Sequence, residues 1–297
     1  MAGERPERYR SPDEDSARWL GFPFRPGDIV ISTRSKSGTT WMQMIAALLV
    51  FQTPALPVPL AELSPWLDWV ITPRAEVYAR LADQPHRRII KTHTPLDGLP
   101  LDPRATYIVV ARDPLDLAVS LYHQSDNINR DAVDTPRSEG REARPAMPPL
   151  HAWLLAWTAW DGDRREQMDS LPGVMAHLAD AWGRREQPNV VLVHYDDLLA
   201  DLEREMRGLA DRLEIVVAEA RWPALVQAAR FAQMRARAHV VVPAPTGVLK
   251  DESAFFRRGS SGEGREVLAP DELARYRSRV DGLGPPDLVT WLHRWAR

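Results

Sequence analysis

The chain has 297 residues, 44% of them hydrophobic and 27% charged, a balance suited to a globular fold with a sizeable core. A formal net charge of −3 leaves no general attraction to nucleic acid or anionic membrane, so any anion site must be local. With no cysteine, disulfides, thiolate nucleophiles and cysteine zinc sites are excluded, and a reducing, cytoplasmic location fits.

Met1–Leu20 is crowded with Arg, Glu and Asp and lacks an apolar stretch, so it reads as a flexible N-terminal segment rather than a secretory signal. Asp28–Thr33 is a short β-branched run and reads as a buried strand, followed by a loop over Arg34–Thr39 and a helix over Thr40–Phe51. The apolar part of that helix, Met44–Phe51, is far short of a membrane span. Two proline clusters, Pro54–Pro73 and Pro136–Pro149, read as rigid, irregular loops, the second within a variable stretch, 130–149, expected beside an acceptor. Arg88–Lys91, Thr106–Val110 and Val190–Val193 read as further strands. Helices are expected over Leu115–Asn127, Trp153–Trp160, Val174–Arg185, Leu198–Leu213, Trp222–Arg237, Asp271–Val280 and Pro286–Trp295. Strands separated by helices imply an α/β fold, a three-layer sandwich with a central, mainly parallel sheet, in one domain over 1–297. Ligands in such sheets bind at the carboxyl ends of the strands, where every motif below falls.

The first motif is Lys36-Ser37-Gly38-Thr39-Thr40-Trp41, between strand and helix. Gly38 lets the backbone approach an anion, the helix N-terminus favours negative charge, Lys36 adds a point charge and Thr39 and Thr40 add hydroxyls. This is P-loop physics without Walker spacing, because Lys precedes the only Gly. Read without a ligand, the same residues make a tight strand–helix turn. Preceded by Arg25-Pro26-Gly27-Asp28-Ile29-Val30-Ile31-Ser32-Thr33, the motif resembles the first signature of the PAPS-dependent cytosolic sulfotransferases, a fold related to the nucleotide kinases. That resemblance implies a loop that holds the 5′-phosphosulfate of 3′-phosphoadenosine 5′-phosphosulfate (PAPS), with Trp41 against adenine.

Lys91-Thr92-His93 follows the second strand. Sulfonate transfer needs a base for the acceptor hydroxyl and charge stabilisation for the leaving phosphate. The resemblance makes His93 that base, with Lys36 and Lys91 on the transferring group; read alone, a single histidine is more often structural. Arg112 ends the third strand and Ser120 lies two helical turns on, and the resemblance implies that they bind the 3′-phosphate. Asp113 and Leu115 depart from the family's usual Asn and Lys. Phe255-Phe256-Arg257-Arg258-Gly259 is similar to the third signature, a clamp over the 3′-phosphate. After Gly262, however, the chain reads Glu263-Gly264-Arg265 where the family has Asp-Trp-Lys, so this part is expected to dock loosely. Tyr195 and Phe231 match the family's adenine contacts.

The sum is a PAPS-dependent sulfotransferase, leaving 3′-phosphoadenosine 5′-phosphate (PAP) and needing no metal, with an apolar small-molecule or glycolipid hydroxyl as acceptor. The glycolipid alternative comes from Ser64–Asp68 and Lys91–Leu99, which are similar to the bacterial glycolipid enzymes. An ATP-dependent kinase and a non-catalytic nucleotide-binding module are the competing readings. The first wants a Walker loop that the sequence lacks; the second would have no use for His93 and Lys91.

Overall fold

A computed structural model describes residues 5–129, 147–242 and 248–295; of the loop expected over 130–149, residues 130–146 lie outside them. Four strands, β1 (Ile29–Ser32), β2 (Ile89–Thr92), β3 (Thr106–Ala111) and β4 (Val190–His194), form one parallel sheet in the order β2-β1-β3-β4. The first helices are α1 (Thr39–Phe51), α2 (Leu60–Leu63), α3 (Arg74–Asp83) and α4 (Pro114–Asn127). Alternate strand residues serve the two faces of the sheet. Ile29, Ile31, Ile108 and Val110 join α1 residues Met44, Ile45 and Leu48 in one core. Val30, Ile90, Tyr107 and Val109 join Leu117, Leu154, Met175 and Leu178 in the other. This is the three-layer arrangement expected from buried parallel strands.

Register sets the site. Ser32 pairs with Thr92, so the next residues, Thr33 and His93, lie side by side beyond the sheet. Ala111 pairs with His194, which brings Arg112 next to Tyr195 in the same way. The sheet edge is extended past β2 by residues 66–70: Trp66 bridges Lys91 in parallel, and Glu14 bridges Trp69 on the far side.

Two expectations need correction. The N-terminal segment, read as flexible, is fastened from residue 7 onward, Glu7 and Tyr9 to Asp97 and residues 13–15 to this extended edge. Tyr9 and Trp19 are buried, Asp15 N–H donates to the Asp68 carbonyl and Val70 N–H donates to that of Asp13. Its charge density concealed two large aromatic anchors and the edge strand they would cover. The long helices expected over Leu198–Leu213 and Trp222–Arg237 are each broken. Asp201 leaves the helical region to cap Leu202–Arg212 through the Arg204 N–H, and Arg230 turns extended between Trp222–Ala229 and Phe231–Ala236.

Candidate functional site

The loop after β1 is shaped by two residues in the left-handed region, Lys36 (φ 64°) and Gly38 (φ 106°). Gly38 is required twice over. Its φ suits glycine, and a Cβ would stand 2.9 Å from the Tyr195 ring. Lys36 bears a side chain at such a φ, a strain typical of functional loops. Gly38 opens α1, the Thr33 and Thr39 hydroxyls meet at 2.5 Å, and Ser37 and Thr40 are buried beside them.

Lys36 Nζ donates to Gln124 Oε1 (3.3 Å) and lies 3.9 Å above the centre of the Phe255 ring. Among the described residues no carboxylate is within ion-pair reach of it. Burial, then the cations of Arg112, Lys91 and Arg257, push its pKa down to about 7. A half-buried ammonium with three other cations nearby favours an anion as neighbour.

Arg112 ties the strand-end motifs together. It donates to the Lys36 carbonyl (3.0 Å) and the Ser260 carbonyl (3.3 Å), and its guanidinium lies 4.5 Å from the Tyr195 ring centre. Its buried Nε has no partner among the described residues, an orphan donor that fits an anion. Ser120, on α4, is half-buried. Trp41 meets Tyr195 edge-on at 5.3 Å and donates its N–H to the Ala229 carbonyl. Phe231 packs against Gly259 and Phe256 of the clamp; a Cβ on Gly259 would lie 2.4 Å from its ring.

The clamp is more firmly docked than its sequence suggested. Gly262 and Gly264 N–H groups both donate to the Asp116 carboxylate (2.7 and 2.9 Å), and Arg265 pairs with Asp113 at 3.0 Å. Gly264 approaches so closely that a Cβ would meet the Leu115 backbone at 2.5 Å. The departures from the family pattern at 113, 264 and 265 therefore contact one another or the same short helix start. Within the clamp, Arg257 donates to both Glu263 oxygens, one at 2.9 Å, while Arg258 is half exposed and 3.6 Å from the same carboxylate. Because Glu263 occupies the guanidinium that a phosphate would need, Glu263→Gln should raise PAP affinity about tenfold, as removal of one competing charge in a partly wet site would. Calorimetric titration checks this; a fall in affinity would instead make Glu263 the residue that holds Arg257 in place.

His93 is buried at the end of β2. Its Nδ1 lies 2.5 Å from the Thr33 carbonyl, which can only accept, so Nδ1 carries the proton and Nε2 the lone pair. Burial, then the charges of Lys91 and Arg34, hold its pKa well below 6.5. The Trp66 ring packs edge-on at 4.6 Å and is itself stacked on Trp69. Lys91 Nζ lies 3.8 Å above Trp66, its pKa pushed by burial to about 8. The arrangement can accept one proton at Nε2 beside a cationic anion cradle.

Several residues that support this geometry were not singled out from sequence. Asp68, Arg34, Gln124 and Asp169 have their partners far along the chain; the first three lie within stretches that read as elements or motifs, but none of the four is given a role by sequence. Glu14, 3.7 Å from Arg34, carries a pKa raised by burial to about 8 and gave no local signal at all.

A parallel sheet flanked by helices, with the Lys36–Trp41 loop, His93, Arg112 and the 255–265 segment gathered at its strand ends, is a P-loop-like α/β architecture. The chain belongs to the sulfotransferase domain family, whose model matches residues 26–284. It is 41% identical to the "Glycolipid sulfotransferase" of Mycobacterium bovis over 97% of this chain and 94% of that one, and equally identical to its Mycobacterium tuberculosis namesake over the same shares. Mouse "Sulfotransferase 1B1" is 25% identical over 88% of this chain and 85% of that one. Among solved structures, mouse sulfotransferase SULT7A1 complexed with PAP aligns with a TM-score of 0.70 at 18% identity, covering 94% of this chain and 92% of that one. Retinol dehydratase in a complex with retinol and PAP aligns at 0.68 with 21% identity, covering 90% and 84%. No helix among the described residues is long and apolar enough to cross a membrane.

Proposed function

We propose that the protein transfers a sulfonate from PAPS to a hydroxyl of a glycolipid, acting in the cytoplasm. His93 takes the acceptor proton at Nε2, Lys36 and Lys91 stabilise charge on the transferring group, and the loop Lys36–Trp41 holds the 5′-phosphosulfate. Arg112, Ser120, Arg257, Arg258 and the Gly259 N–H hold the 3′-phosphate, while Trp41, Tyr195 and Phe231 serve adenine. The observation that carries this reading is the half-buried Lys36, with the cations of Arg112, Lys91 and Arg257 around it and, among the described residues, no carboxylate within ion-pair reach. An anion of several charges would neutralise such a cluster, and PAPS carries charge at both ends of one molecule. Lysines and helix N–H groups supply the neutralisation that sulfonate transfer requires, so the proposed route calls for no metal. The relatives named glycolipid sulfotransferases support a glycolipid acceptor, and the stacked Trp66 and Trp69 beside His93 supply apolar surface for one.

The test is calorimetric titration with PAP and, separately, AMP, which differ by the 3′-phosphate. PAP should bind at least about 100-fold more tightly, since hydrogen bonds to charged groups contribute about 1.5–3 kcal/mol each. Equal affinities would remove Arg112, Ser120 and Arg257 from a 3′-phosphate site and the PAPS reading with them.

A further inference from the structure

Arg34 stands two residues before Lys36 in the phosphate loop, yet its side chain serves the neighbouring strand. It is almost fully buried. Nε and Nη2 donate to Asp169 Oδ1 (3.0 and 2.8 Å), and Nη1 donates to the His93 carbonyl. The same Asp169 oxygen accepts from the Ser35 N–H at 3.2 Å, and Glu14 Oε2 lies 3.7 Å from Nη1. His93 is therefore held at three points. Arg34 takes its carbonyl, the Thr33 carbonyl takes its Nδ1–H, and Asp68 takes its amide N–H at 3.3 Å while also binding the Thr92 and Thr94 hydroxyls. Two of those three points belong to the loop that carries Lys36.

We propose that Arg34, anchored by Asp169, is a positioning residue that fastens the phosphate loop to the strand end bearing His93, and so fixes the separation of base and donor. This rests on the roles proposed above for His93 and Lys36. The physical reason is reach: an in-line transfer needs base, acceptor and donor in one alignment, and a misplacement of about 1 Å costs on the order of 100-fold. The guanidinium holds Asp169 through two N–H groups and the His93 carbonyl through a third in one fixed fork; an ammonium in its place keeps the charge and loses the fork. Arg34 also faces His93 as a charge. The other groups around that imidazole are Lys91 from β2, His177 from the helix Leu171–Gly183 and the Trp66 ring, with Glu14, Asp68 and Asp169 lying around Lys91 and Arg34. Removing the Arg34 cation should therefore raise the proton affinity of His93.

The experiment compares the full chain with Arg34→Lys, Arg34→Met and Asp169→Asn. Folding is followed by circular dichroism, PAP affinity by calorimetry, transfer from [35S]PAPS to a glycolipid panel against pH, and the His93 imidazole by NMR titration. In Arg34→Lys, kcat should fall about 10–100-fold with PAP affinity within about threefold and the acid limb of the pH profile unmoved. Arg34→Met should fall at least as far and carry the acid limb, and the His93 titration, to higher pH, which a merely structural residue would not do. If Arg34→Met does not fold, Arg34→Lys and Asp169→Asn, which keep the side-chain volume, decide the matter. Folded Arg34→Lys and Asp169→Asn with kcat within about twofold of the unsubstituted chain overturn the proposal. A chain that binds PAP no better than AMP, or transfers no sulfonate, fails the functional reading instead, and the His93 titration alone then decides whether Arg34 holds that imidazole.

Discussion

His93→Ala should lower kcat on the order of 10²–10⁴-fold, the usual contribution of a general base, while PAP affinity stays within about threefold. The two effects separate because His93 stands at the end of β2, with Nδ1 committed to the Thr33 carbonyl and only Nε2 left to act. The phosphate contacts expected of Lys36 and Arg112 come from the segments that follow β1 and β3 and do not pass through its ring. The imidazole is neutral at neutral pH, since burial with Lys91 and Arg34 nearby keeps its pKa well below 6.5. The acid limb of kcat/KM should accordingly lie below pH 6.5 and disappear in the variant. Stopped-time transfer assays with [35S]PAPS and titration with PAP measure both halves. Near-normal turnover in His93→Ala would remove the base from the scheme.

Lys36→Met should cut kcat about 10²–10³-fold, the cost of removing one preorganised charge from the transferring group, and should weaken PAP binding as well. The pH dependence gives this prediction its sign. The charged ammonium is the form that binds an anion. Burial and the cations of Arg112, Lys91 and Arg257 push its pKa to about 7, so raising the pH above 7 removes the charge before the ligand arrives. An anion in the cluster draws the proton back, so binding above pH 7 takes up protons and weakens by up to about tenfold per pH unit. Lys91, at about 8, adds the same trend one step higher. Lys36→Met should lose the first step and keep the second. Calorimetry in buffers of different ionisation enthalpy counts the protons directly. A pH-independent affinity between 6 and 9 in the unsubstituted chain would mean that Lys36 does not touch the anion.

What was legible from residues alone was whatever local chemistry encodes. Short β-branched runs specify buried parallel strands because both faces of such a strand are covered, and Gly38 and Pro114 mark helix starts through their own backbone geometry. Since ligands in an open parallel sheet gather at the carboxyl ends, the motifs at Lys36, His93, Arg112 and Tyr195 could be assigned to one place before any contact was known. Tertiary structure alone decided what surrounds them. The helix breaks at Asp201 and Arg230 depend on packing that a continuous helical pattern does not report. The N-terminal segment, polar by composition, is held by edge pairing to residues 68–70, more than fifty positions away. Arg34, held by Asp169, and Asp68 converge on His93 only because the register of β1 and β2 sets their ends level. The stretch after Gly262 looked loose because it lacks the family's tryptophan; it is instead seated by two glycine N–H groups on Asp116, where a side chain at Gly264 would collide with Leu115. A missing side chain reads as a lost contact in sequence, whereas in the folded chain it is the space that lets two backbones meet.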